Sequence, residues 1–369
     1  MKYEIEFCPV GEASKPGDAI VIKYEGENGG FYLIVIDGGN LESGQAVVRH
    51  IRHHYGTNAI VAHAILTHSD TDHACGFREI VKELSVRNIW MHLPWLAAPE
   101  ALPYFANKSF TAAGLVKTIR SQYELIDEIS SIAAERQIPI SQPFAGERIG
   151  PFTILSPWKW VYELLLPQFD KTPDADQTAI EAQSAAVWVG KPPIAFQNGA
   201  KRDKLVKETW ESERLREGGI TSATNESSVV LYGDFGAGER VLLTGDAGHL
   251  GLLIAKTCAA KLGLPMREFS FVQIPHHGSR SNVGPAILNT IVGPILPQGI
   301  PAKFAAFVSA PKDDNSHPRR MVLNSFLRRG AKVFATQGSY ICHTVGYPFK
   351  SNYTPIVSRP FSSDVEDYD

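Results

Sequence analysis

The chain has 369 residues, 44% of them apolar and 20% charged, a profile that supports a sizeable core and excludes the disordered and fibrous classes. A formal net charge of −3 supplies no basic field over the whole surface, so any binding of phosphate has to be local. The four cysteines, Cys8, Cys75, Cys258 and Cys342, are far apart and form no CxxC pair. That argues against a disulfide framework and a thiolate zinc site, and fits a reducing cytosol.

In chain order, "MKYEIEFCPV" lacks the basic region and long apolar run of a secretory signal and reads as a strand. The runs "FYLIVIDGG" (31–39) and "AIVAHAILTHSD" (59–70) are near-continuously apolar, as strands buried on both faces are, and each ends in a Gly, Asp or His cluster. "ACGFREIVKEL" reads as a helix, and "GLVKTIRSQYELIDEISSIAAERQ" places Leu115, Ile119, Ile126, Ile129 and Ala133 close to a helical period. From about 158 to 224 the pattern breaks, with "QFDKTPDADQ", "VGKPPIAFQNGAKRDK" and the charged, helix-like "KLVKETWESERLREGG". This reads as an insertion over one edge of the core. Further strand-like runs follow in "RVLLTGDAG" (240–248), "FVQIPHHGS" (271–279) and "FAAFVSA" (304–310). "NSFLRRGAK" carries its own helix stop at Gly330. "HLGLLIAKTCAAKLGLPM" is the most apolar later stretch, but Lys256 and Lys261 interrupt it, so no membrane span is expected and the protein is read as cytoplasmic. The expected organisation is one α/β domain over residues 1–361, with residues 362–369 as a solvated acidic tail.

"THSDTDHACG" (67–76) holds two histidines and two aspartates within six positions. On a helix His68, Asp70, Asp72 and His73 share no face, and on a strand His73 points away from the other three. A tight loop at the end of a strand is the arrangement that gathers all four. Carboxylates and imidazoles crowded together in this way favour a divalent cation, since carboxylates so close repel one another. Asp246 in "LLTGDAG", the pair His276 and His277 in "PHHGS", and Asp37 in "IDGG" also close apolar strands, where open α/β sheets build their sites.

The set "IDGGN", "THSDTDH", "LLTGDAG" and "PHHGS" resembles the metallo-β-lactamase-fold hydrolases. Within them it is most similar to the hydrolase domain of the bacterial competence protein ComEC and its soluble relatives. Weaker matches are "PGDAIVI", "AGERIGPFTILSP", "NESSVVL", "SHP" and "FATQGS", so that the resemblance runs from about residue 3 to residue 345 apart from inserted segments. It implies an αββα sandwich carrying the helical and loop insertion, with two divalent metal ions between the inner edges of two sheets. His68 and Asp70 would hold one ion and Asp72 and His73 the other. Asp246 would bridge them, and a histidine of the 276/277 pair would complete the second site. The ions would share a water that attacks the substrate. Zinc is the expected metal, with manganese the alternative, because Asp70 stands where many family members carry a histidine. Many relatives supply a further histidine between the first motif and Asp246, whereas here the stretch is "NESS", so Asn225 is read as lining the site. The N-terminal motif is stretched by "EASKP", and Asp18 is read as a turn residue.

Asp37 is expected to orient a ligand histidine. His317 in "NSHPRR" is expected to bind substrate or protonate the leaving group, so Asp72 and His317 are the residues expected at the chemistry itself. Ser279 and Arg280 are read as substrate-binding, and Arg280, Lys312, Arg319 and Arg320 as local phosphate contacts. His92 is read as a surface or hydrogen-bonded histidine, and His53, His54 and His63 as structural. The expected function is hydrolysis of a phosphodiester, as a DNA or RNA nuclease or a phosphodiesterase. The alternatives are hydrolysis at carbon, of a lactone, lactam or thioester, and a non-catalytic binding module that kept the fold.

Overall fold

The computed structural model describes all of the chain except residues 12–15, 27–28, 188–203, 315, 351–352, 354–355 and 369. Most of "EASKP" and of "VGKPPIAFQNGAKRDK" therefore lies outside the described residues.

The first half of the chain forms β1 (Tyr3–Phe7), β2 (Ile20–Glu25), β3 (Phe31–Ile36), α1 (Leu41–Tyr55), β4 (Ile60–Ile65), α2 (Thr71–Glu83), β5 (Ser85–Val86), β6 (Ile89–Trp90), α3 (Ala98–Ala101), α4 (Ala112–Gln122), α5 (Glu124–Glu135) and β7 (Ile140–Ser141). The second half forms β8 (Arg148–Ile149), β9 (Phe152–Ser156), α6 (Lys159–Leu165), α7 (Gln177–Val187), β10 (Leu205–Lys207), α8 (Ala223–Glu226), β11 (Val230–Asp234), β12 (Arg240–Leu243), α9 (His249–Lys261), β13 (Phe271–Gln273), α10 (Pro285–Ile291), β14 (Phe304–Val308), α11 (Arg320–Arg328), β15 (Ala331–Ala335), β16 (Ile341–Val345) and β17 (Asp364–Glu366).

Each half builds one sheet, and each sheet passes from an antiparallel meander into parallel strands. Among the described residues the first sheet runs β16-β1-β2-β3-β4-β6-β7, with β5 beside β4, and the second runs β15-β14-β13-β12-β11-β9-β8. β16 is the exchange between them, because it crosses back to pair antiparallel with β1.

Side-chain alternation along β1 explains the layering. Tyr3, Ile5 and Phe7 face inward and pack with Ile154, Leu243, Phe271 and Phe307 of the other sheet, forming a core between the sheets. The outer face of the first sheet, with Val21, Val35 and Val61, is covered by Val47 and Ile51 of α1 and Phe77 and Ile80 of α2. The outer face of the second, with Tyr232, Val272 and Ala306, is covered by Leu252 of α9, Leu288 of α10 and Val322 of α11. The result is the αββα sandwich expected from the motifs. The parallel strands β3, β4, β12, β13 and β14 end one to three residues before Asp37, His68, Asp246, His276 and Ser309, so these residues sit just beyond the strands' carboxyl ends.

Three expectations about elements are corrected. The run from 112 to 135 is two helices, broken at the buried Tyr123 (φ −103°, ψ 50°), although Leu115, Ile119, Ile126, Ile129 and Ala133 are all buried as expected. The charged stretch 204–219 is not a helix. β10 opens it, and Glu208 and Glu213 pair with the fully buried Arg328 and Arg329 at the end of α11 (3.1 and 2.6 Å), so these charges are internal partners and not a solvated face. Residues 362–368 are not a free tail, and residue 369 lies outside the described residues. β17 pairs with β10, Val365 is fully buried, and the Glu366 carboxylate accepts the backbone N–H of Arg320 at 3.0 Å, capping α11.

Candidate metal centre

The histidine–aspartate motif straddles a loop and a helix. The expectation of a single loop is corrected, because α2 already begins at Thr71 with Asp70 as its N-cap residue. Asp72 and His73 thus occupy its first turn, where the helix dipole favours acidic groups. His68 is set by the turn that follows β4.

Acceptors fix the imidazole rings one after another. The Thr67 hydroxyl and backbone N–H both donate to Asp37, at 2.7 Å each. With the Thr67 proton committed, His68 Nδ1–H donates to that hydroxyl oxygen at 3.0 Å. His73 Nδ1–H donates to Asp37 Oδ2 at 2.8 Å, and His277 Nδ1–H to the Ser309 carbonyl at 3.2 Å. Each ring therefore keeps its Nε2 lone pair, the form that binds a metal.

Those nitrogens converge. Asp246 Oδ2 lies 3.9 Å from His68 Nε2, 3.4 Å from His73 Nε2, 3.6 Å from His276 Nε2 and 3.6 Å from His277 Nε2. Asp70 Oδ2 lies 3.7 Å from His68 Nε2, while Asp72 Oδ2 lies 3.9 Å from both His73 Nε2 and His277 Nε2. Overlapping donor groups emerge around Asp246 and His73: His68, His73 and Asp246; Asp72, His73 and His277; and Asp246, His276 and His277, with Asp70 beside His68.

The fit to cations is visible in what these atoms lack. His68 Nε2, His73 Nε2, His277 Nε2 and Asp246 Oδ1 are buried and make no hydrogen bond among the described residues. Leaving one such atom unsatisfied costs roughly 1–3 kcal/mol, so four together at one point indicate a ligand they share. The electrostatics agree. Burial opposes charge on His73, yet Asp246, Asp37 and Asp72 together hold its imidazolium well above the usual range. Burial likewise works against the Asp246 carboxylate, but His276, His73 and His277 keep it well below its ordinary value. The surplus of carboxylates favours positive charge at this point, be it a proton or a metal ion. The Asp70 and Asp72 side chains, 42% and 33% exposed, and that of His276, 27% exposed, mark the side open to solvent.

His317 stands on that open side. Its ring lies 6.4 Å from His276, nearly parallel, and its Nδ1 faces Asp314 Oδ2 at 3.2 Å. Gly278 makes the approach possible, because a Cβ there would meet Pro318 Cβ at 2.6 Å and its φ is +80°. Arg319 N–H then donates to the Gly278 carbonyl at 3.1 Å, tying the two loops together.

Other sequence expectations are placed elsewhere. Asn225 is buried and touches the His276 ring edge at 3.2 Å. The Ser279 hydroxyl accepts Ser281 N–H within its own turn. Arg280 is turned away from the centre, donating to the Asp367 carbonyl and lying 4.6 Å over the Tyr368 ring, and Arg320 donates to the Asp364 carbonyl. Lys312 is exposed and lies along Gly338. Both arginines thus meet backbone carbonyls of the returning C-terminal segment. Asp18 is no exposed turn residue. It is 1% exposed, accepts Gln273 Nε2 at 2.7 Å, and sits with Asp37 beside His73, where burial, with Asp246 and Asp37, pushes its pKa up to about 7. His92 is neither on the surface nor hydrogen-bonded. It is buried between Phe144 and Tyr162, with neither ring nitrogen partnered among the described residues. His63 accepts Trp90 Nε1–H, and His53 and His54 lie in the last turn of α1.

The motifs did not reveal Thr67, Ser309 and Asn282, which hold the rings. Thr67 adjoins His68 and was open to suspicion. Ser309 and Asn282 carry no local signal.

No protein-family model matches the sequence, and no curated protein matches it. Solved structures do align with the fold. A candidate metallo-β-lactamase from Thermotoga maritima aligns over 71% of this chain and 93% of its own, at 10% identity and a TM-score of 0.33. Zinc-bound PqqB from Methylobacterium extorquens aligns over 92% of this chain and 99% of its own, at 8% identity and a TM-score of 0.38. A long-form RNase Z from yeast aligns over 100% of this chain and 42% of its own, at 10% identity and a TM-score of 0.35.

Proposed function

We propose that this chain is a metal-dependent hydrolase with a dinuclear centre, acting on phosphodiester bonds as a nuclease or phosphodiesterase of the ComEC-like kind that its motifs resemble. One observation carries the reading: four imidazole nitrogens converge on a single oxygen of Asp246, three of them buried without a hydrogen bond. His68, Asp70 and Asp246 would hold one ion, and Asp72, His73, His277 and Asp246 the other, zinc by preference and manganese as the alternative. Such a pair would supply an activated water and a positive point against which a phosphoryl oxygen can lie.

The chain's own residues do the rest. Asp37 and Thr67 keep His68 and His73 in the ligating tautomer, and the Ser309 carbonyl does so for His277. The partly exposed Asp70, Asp72 and His276 define where the substrate enters. His317, with Nδ1 held by Asp314, offers its other ring nitrogen at that rim, where it can protonate a departing oxygen. Nucleic acid is the proposed substrate class. No helix among the described residues is long and apolar enough to cross a membrane.

The test is a hydrolysis panel of single-stranded DNA, RNA, bis-p-nitrophenyl phosphate and a lactone, run on metal-loaded protein. Phosphodiesters are expected to be cleaved, and Asp72→Ala to abolish the cleavage. Turnover of the lactone alone would overturn the phosphodiester assignment.

A further inference from the structure

Adjacent residues on a strand point to opposite faces, so His276 and His277 can aim at one centre only if the backbone leaves the strand geometry. It does so. Past the end of β13, His276 (φ 46°), His277 (φ 55°) and Gly278 (φ 80°) wind consecutively through the left-handed region. For two side-chain-bearing residues this is a strained conformation that persists only where the surroundings impose it. The consequence is that both Nε2 atoms come within 3.6 Å of Asp246 Oδ2.

The two rings are held differently. His277 faces Asp72 as well and so belongs with Asp72 and His73. His276 instead leans on Asn282, a side chain with no exposed surface. Asn282 Nδ2 donates to the Asp246 carbonyl at 2.7 Å, which fixes the orientation of the amide, because only a donor can face a carbonyl. Its Oδ1 therefore faces His276 Nδ1 at 2.7 Å and accepts Nδ1–H. In the neutral ring this leaves a lone pair on His276 Nε2 directed at a carboxylate oxygen, two acceptors that repel unless a proton or a metal ion lies between them.

Counting donors gives this ring its place. Asp72, His73, His277 and Asp246 make a full set of four, whereas His68, Asp70 and Asp246 make three. We propose that His276 is a metal ligand in its own right, completing the set that His68 and Asp70 begin, and that Asn282 is the positioning residue holding it in the ligating tautomer. This rests on the dinuclear reading above. It assigns both members of the histidine pair to the centre, with separate roles.

Metal binding tests it without reference to turnover. Apo wild type, His276→Ala and Asn282→Leu, each checked by circular dichroism for an intact fold, are titrated with Co2+ and Zn2+. The readouts are stoichiometry, affinity against a competing chelator and the Co2+ visible spectrum. Wild type is expected to bind two ions. His276→Ala is expected to keep one tightly, to bind the second about 10–100-fold more weakly with an altered spectrum, and to regain it when free imidazole is added. Asn282→Leu is expected to weaken the same ion alone, over a similar range. His276→Ala binding two ions with unchanged affinity and spectrum would overturn this proposal and leave the dinuclear centre standing. Wild type binding no ion would overturn the dinuclear reading itself.

Discussion

Single residues here act in relays. Asp37 has φ 55°, a conformation that a non-glycine residue adopts only under constraint, and it accepts from Thr67 twice and from His73 once. It therefore fixes the His73 ring directly and the His68 ring through Thr67. Replacing it by asparagine keeps the volume but puts an N–H₂ group where acceptors are needed. Asp37→Asn is expected to lower metal affinity about 10–100-fold, measured by chelator competition, while the apo protein keeps its circular dichroism spectrum. Unchanged affinity would show that Asp37 serves only the turn. Asp37 and His73 stand in separate motifs of the sequence. What it could not supply was the contact between them, 36 positions apart.

Elements set the precision of the site by how closely they pack. At Gly76, α2 meets the loop that leads into α1 backbone to backbone, where a Cβ would lie 2.0 Å from the Gly38 carbonyl oxygen and 2.4 Å from that of Asn40, and a Cβ on Gly44 of α1 would lie 2.3 Å from Gly76 Cα. Alanine at this helical position brings about 1 kcal/mol of propensity, which is small beside a clash with two backbone atoms. Gly76→Ala is expected to destabilise the protein by roughly 1–3 kcal/mol or more in urea unfolding and to displace the first turn of α2, weakening metal binding at Asp72 and His73. A variant of wild-type stability and metal affinity would mean that the helices separate without cost. The same scale explains the misread C-terminus. Its acidic composition matches a solvated segment, but β17 finds β10 and Glu366 finds the exposed amides of α11. Composition records charge and not the amide that will neutralise it.

For the whole molecule, buried ionisable groups outside the centre set the response to acid. Burial pushes His92 down to about 3 and His343 down to about 4, against an ordinary value of 6.5. Between those values and 6.5 the unfolded chain takes up protons that the folded one refuses, so stability falls as pH drops through that window. Each histidine contributes up to about 1.4 kcal/mol per pH unit there. Glu6 acts in the same direction. Although burial opposes it, His50 and Lys350 hold its carboxyl well below the usual range, giving stability that is present above its ordinary value and lost as pH falls further. His92→Leu is expected to flatten the fall in urea midpoint between pH 6.5 and pH 4, and an unaltered slope would show that His92 is protonated in the folded state.

Apolar periodicity and turn chemistry act within a few residues of one another, so the buried strands and the acidic and imidazole side chains clustered at their ends were legible in the chain, while the αββα sandwich was implied by the resemblance of the motifs. Tertiary structure decided which ring nitrogen faces inward, that Asp18 lies buried against Gln273 and not in an open turn, that Arg280 serves the C-terminus, and that Asn282 links Asp246 to His276. These are pairings across up to 255 positions, as between Asp18 and Gln273. A buried donor takes whichever acceptor the packed sheets bring within about 3 Å, and nothing local to either residue specifies that choice.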